Sequence, residues 1–189
     1  TSFYAGIQST APDLRKTGDV YLDETNTMDI QLLSTVGFEQ EDLDAIQQTD
    51  GVLAISPTHS IDVLADMGEE NVVMKVMALP QSYQGQTPMN QIVLVEGRMP
   101  ENDNECVLED AHFPEIQLGD TIPLTSGTDD PLSDSLHADE VTVVGRVQSP
   151  LYMALQRGTS TLGSGTVRGY MLVPDALFNL EVYTNVYVT

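Results

Sequence analysis

Short β-branched runs, each ended by a turn, are the feature that most constrains how this chain can fold. From Leu94 the sequence runs Leu-Val-Glu, then the turn Gly97-Arg98-Met99-Pro100, then an acidic connector and a second run, Glu105-Cys-Val-Leu108. Leu118-Gly119-Asp120 introduces Thr121-Ile-Pro-Leu124, and Val141-Thr-Val-Val-Gly-Arg-Val147 follows. Runs this short, bounded by Gly, Pro, Asn and Asp, are strand signals rather than helix signals. In the first turn, Gly97 is expected to permit a backbone shape that a side chain would strain, and Pro100 to fix the exit. Arg98 is expected to tie the turn to a nearby acid, Glu96 or Glu105.

The half of the chain before Pro80 has a different grammar. Met28 to Ser34 alternates like a strand, and Gly37 to Gly51 reads as a compact helix with early acids and a glycine stop, turning Phe38, Leu43 and Ile46 to a core. Val52 to Ser56 and Ser60 to Ala65 then read as strand on either side of Pro57, and Asn71 to Leu79 as another. The expected fold class is therefore α+β in two lobes: an α/β, split βαβ-like lobe over residues 27–80 and a mainly β lobe over residues 91–189. Residues 81–90 are the expected linker or surface loop. Whether the last strand, Val182 to Val188, returns to the first lobe is left open. Residues 1–26 are expected to be a helical segment, helix over Ser2 to Thr25, with Phe3-Tyr4 suited to a membrane interface.

Composition narrows the function. With 29 acidic residues against 7 basic, the formal net charge is −22, and the acids are spread along the chain. That field repels nucleic acid and anionic headgroups. The single cysteine, Cys106, cannot form an internal disulfide and sits in a run where a buried small apolar residue belongs. No stretch approaches the ~18 consecutive apolar residues that a membrane helix needs.

Chemistry is sparsely signalled. His59, His112 and His137 lack metal-ligand spacing, and Gly163-Ser164-Gly165 lacks the Gly-x-Ser-x-Gly nucleophile turn. Asp129, Asp130 and Asp134, and likewise Glu101, Asp103 and Glu105, cluster oxygens of the kind calcium takes, without the spacing of a calcium loop. Gly158, Gly163 and Gly165 have no lysine behind them to cradle a phosphate. No catalytic, cofactor-binding or metal-binding residue is assigned. The residues singled out, Gly97, Arg98, Pro100, Glu105, Gly119 and Asp120, are expected to be structural.

The order and spacing of these turns and strands resemble the extracytoplasmic core domain of MacB/FtsX-type ABC transporter permeases. Arg157-Gly158, the glycine-rich segment to Gly165, Gly169-Tyr170, Val173-Pro174 and Phe178 are similar to the closing part of that domain in Gram-positive members. The resemblance implies an excerpt of a membrane protein, inserted between its first two transmembrane helices on the extracellular face of the cell membrane. It implies a non-catalytic domain, a cytosolic ATPase partner, a second permease copy and an extracellular substrate or partner of unspecified kind. Two rivals from other classes are an acidic surface module that captures Ca²⁺ or cationic peptides, and a secreted hydrolase using paired carboxylates.

Overall fold

The computed structural model describes residues 21–68, 70–152 and 158–189. Of the expected N-terminal helix only the turn at residues 21–24 lies among them, and it is helical; Phe3 and Tyr4 lie outside the described residues. Among the described residues ten strands form two sheets, and the fold is α+β.

The smaller sheet contains β1 (Ile30–Phe38), β2 (Ile55–Thr58) and β10 (Tyr183–Val188), in the order β1-β10-β2. β10 is antiparallel to both neighbours, pairing Ile30 with Val188 and Ser56 with Tyr187. β1 and β2 therefore run parallel with a strand between them, joined by the helix α1 (Gln40–Gln47), which is a split βαβ unit. The helix is shorter than the Gly37-to-Gly51 span because Gly37 and Phe38 extend β1. Its start is fixed by Asp42, whose carboxylate accepts the Glu39 N–H at 2.9 Å, with Glu41 and Asp42 favourably placed in the first turn. Leu43, Ile55, Val186 and Val188 form the buried centre, with Phe38 and Ile46 packed against it.

The larger sheet runs β5 (Val93–Gly97), β8 (Glu140–Gln148), β6 (Glu105–Glu109), β9 (Val167–Val173), β4 (Asn71–Ala78), β3 (Ser60–Asp66), β7 (Thr121–Thr125). β7 also pairs with β8 through Thr121–Thr142, Ile122–Val141 and Pro123–Glu140. Six strands thus close into a barrel, with β5 added outside on β8. Period-2 alternation fills the barrel: Val63 and Ala65, Met74 and Val76, Cys106 and Leu108, Ile122 and Leu124, Val141 and Val143, Met171 and Val173 all belong to one buried cluster.

Sheet membership does not divide at residue 80. β3 and β4, grouped by sequence with residues 27–80, belong to the barrel, where β4 pairs in parallel with β9 and antiparallel with β3. The chain crosses between sheets at His59, and residues 79–92 form a packed loop whose Met89 and Asn90 are buried.

Candidate functional site

The sequence motifs converge at one corner of the barrel. Gly97 pairs with Gly145 across β5 and β8. A Cβ on Gly97 would lie 2.3 Å from the Val144 carbonyl oxygen and 2.9 Å from the Gly145 Cα, and one on Gly145 would lie 2.4 Å from the Arg98 carbonyl oxygen. Gly97 also has φ +76°, so this backbone-to-backbone approach requires both the missing side chain and the left-handed freedom of glycine. Two bulges prepare it: Val144 is the extra residue between the Cys106–Val143 and Val107–Gly145 pairs, and Val95 the extra one between Leu94–Val147 and Glu96–Arg146.

Arg98 chooses Glu105 over Glu96. Its two terminal nitrogens donate to the two Glu105 oxygens at 2.7 Å each, a bidentate pair. Glu105 also accepts from the Glu101 N–H at 2.8 Å, from the Asn102 N–H at 3.3 Å and from the Asn102 amide at 2.9 Å. The Arg98 bond first, then these donors, hold the Glu105 carboxyl far below the usual carboxylate range. Asp120 closes the next turn, accepting the Gln117 N–H at 2.8 Å, while Gly119, at φ +96°, donates to Val143 at 2.7 Å. Arg146, in the quoted run but unassigned from sequence, is buried and donates to the carbonyls of Phe113 (2.8 Å) and Ile116. Arg98, Glu105, Asp120 and Arg146 thus each have polar partners within this corner.

The remaining candidates separate. His59, His112 and His137 stay apart; among the described residues no three of His, Cys, Asp and Glu are grouped so as to hold a metal ion. Glu105 is committed to Arg98, and Asp129, Asp130 and Asp134 lie in an exposed loop. Gly163 lies against the outside of the barrel, where an added Cβ would meet Leu64 at 3.0 Å and Val73 at 3.2 Å. Arg157 lies outside the described residues. Cys106 is fully buried, and burial pushes its thiol up to about 12.

The junction between the two sheets is the second notable place. His59 is buried there, its Nδ1 2.7 Å from Asp175 Oδ1, its ring stacked between Phe178 (5.3 Å between centroids) and Tyr183 (4.9 Å). Beside it opens a cavity of 140 Å³ walled by both sheets and by the loop after β4. Asp29 and Thr189 both reach the smaller sheet: the Asp29 N–H donates to Val188 at 2.9 Å, and Thr189 accepts from Leu53 at 2.7 Å. Sequence reasoning missed this junction, because it is assembled from residues far apart in the chain.

No family model and no curated protein matches the chain. Solved structures do match it, two of which show the kind. One is the extracellular domain of the noncanonic ABC-type transporter YknZ from Gram-positive bacteria, at 16% identity and TM-score 0.47, covering 82% of this chain and 74% of that one. The other is the periplasmic region of MacB from Actinobacillus actinomycetemcomitans, at 13% identity and TM-score 0.40, covering 85% and 66%. The chain is similar to extracellular domains of ABC-type transporters.

Proposed function

We propose that this chain is a non-catalytic extracellular domain of an ABC transporter permease, which passes ATP-driven movement of flanking transmembrane helices to an extracellular substrate or partner. The observation that carries it is the pairing of β1, the first strand of the described residues, with β10, the last: Ile30 and Val188 are neighbours in the smaller sheet. A pull or tilt applied at the two ends acts on one sheet, which meets the barrel through the His59 junction. No helix among the described residues is long and apolar enough to cross a membrane. The ATPase partner, the second permease copy and the cell-membrane location follow from the same reading.

The parent gene tests the class: it should encode a transmembrane helix on each side of these residues, beside an ATPase gene or domain. Spin labels at Gly51 and Asp129 in the detergent-solubilised transporter test the motion. Their distances between the two copies should change between nucleotide-free and vanadate-trapped states, and unchanged distances in an ATP-hydrolysing preparation overturn the transmission.

A further inference from the structure

We infer that the outer edge of β5 is a docking site for a short extended segment of another protein, one that alternates apolar and basic residues and adds to the sheet as a further strand. Among the described residues β5 pairs only with β8, because the ring closes through β7 and leaves β5 outside it. All five of its residues are exposed. In an antiparallel pair every second residue turns its N–H and C=O away from the partner, so β5 offers a row of backbone groups to a newcomer. Its side chains set it apart from an ordinary edge. Edges are usually blunted by charge, but β5 places three apolar residues in succession, Val93, Leu94 and Val95, at 44%, 41% and 48% exposure. Met99 and Leu118 extend the patch. Leu94 and Leu118 flank the paired glycines, their Cδ1 atoms 3.1 Å and 3.0 Å from where a Cβ would stand on Gly145 and on Gly97. Exposed apolar side chains gathered in this way mark a contact surface.

Charge selects the occupant. The segments that form this corner carry Glu96, Glu101, Asp103 and Asp120, all exposed, while Arg98 is tied to Glu105. A second copy would bring the same acids against these, in a chain with 7 basic residues against 29 acidic. A basic segment is attracted instead. Its backbone extends the ladder, its apolar side chains cover Val93, Leu94 and Val95, and its lysines or arginines reach the acids. Docking of a strand here requires no transport, so its failure would leave the proposed function untouched.

The probe is the hexapeptide Lys-Val-Lys-Val-Lys-Val, acetylated and amidated at its ends. Titrated into the ¹⁵N-labelled chain at low salt, it should bind saturably with a dissociation constant on the order of 1 mM. The amides of Val93, Leu94, Val95 and Met99 should shift most. Added salt should weaken the binding, and the peptide with glutamate in place of every lysine should not bind. The fully N-methylated probe keeps each charge and side chain but loses its backbone donors, and should bind about tenfold more weakly. Val95→Lys alters an exposed side chain and adds a like charge, so it should move the melting temperature by at most about 2 °C yet weaken the probe about tenfold. Absence of saturable shifts in the folded wild-type chain, shifts centred elsewhere, or equal binding of the N-methylated peptide would each overturn the assignment. Shifts of the same residues with protein concentration alone would also overturn it, by making the occupant a second copy.

Discussion

The barrel and the three-stranded sheet solve the same problem with unequal resources. The barrel closes its ladder on itself, so its inner face is buried from every side and its motif corner is locked by paired glycines and a bidentate ion pair. The smaller sheet gathers a cluster of four buried side chains, Leu43, Ile55, Val186 and Val188, and leaves Leu33, Val36 and Leu53 at 70%, 87% and 82% exposure. Closure removes edges, whereas an open three-stranded sheet keeps β1 and β2 as edges. The region that holds the first and last strands of the described residues is thus the one with the smaller core. On the proposed function, that contrast would make the barrel the rigid body and the smaller sheet its more compliant attachment.

The largest effect is expected where the barrel's backbones touch. Gly97→Val adds a steric clash at 2.3 Å to a positive-φ penalty, and should cost about 4 kcal/mol. Gly51→Val, in the turn before β2, also sits at positive φ (+91°) but has open space around it, so only about 1 kcal/mol is expected. Chemical denaturation of both variants measures the pair. Equal losses would show that the corner's close packing contributes nothing beyond backbone strain.

Leu43→Ala removes the central side chain of the smaller core and should cost roughly 3 kcal/mol there. Hydrogen exchange should then show lost protection in β1, β2 and β10, with β4 and β9 still protected. Uniform loss across both sheets would mean that the two regions unfold as one cooperative unit, and the comparison would break.

The strands of both regions are legible because alternation in Met74-Lys-Val76 or Val141-Thr-Val143 declares a half-buried face before any pairing is known. That Arg98 ties its turn to an acid is legible too, but the choice between Glu96 and Glu105 is not, because it depends on how the turn folds back onto β6. Sheet membership is not legible. β3 and β4 follow β1, α1 and β2 directly, and consecutive elements are usually neighbours, yet β4 finds its parallel partner in β9, nearly a hundred residues away. Ring closure rests on three residue pairs between β7 and β8, and the amide of Asn90 is oriented by Met28 across 62 positions. Such roles come from packing over long loops and leave no local pattern.

Acid should sharpen the contrast at the barrel's corner. Glu105 has a folded-state pKa held below its unfolded value, which is about 4.3 for a glutamate. The stability it supplies is therefore present above the unfolded pKa and is lost as pH falls towards the folded one. The gap in melting temperature between wild type and Glu105→Gln should be full at pH 6 and shrink steadily below pH 4. A gap that does not change with pH would mean that the carboxylate's charge is unimportant and that shape alone holds the turn.

The smallest expected effect is no change at all, and it tests independence most directly. Cys106 is fully buried on the barrel's inner face, with its thiol pushed up to about 12, so it can react with a thiol reagent at pH 8 only when the barrel opens. Labelling by a disulfide reagent is thus a clock for barrel opening alone. If the smaller sheet unfolds without the barrel, Leu43→Ala should label Cys106 at the wild-type rate although its own sheet has lost protection. Gly97→Val should accelerate the same labelling by orders of magnitude, since about 4 kcal/mol corresponds to roughly a thousandfold in the open population. Acceleration by Leu43→Ala of similar size would mean that the attachment and the barrel share one opening, and that movement of the chain ends could not be passed on without loosening the body it moves.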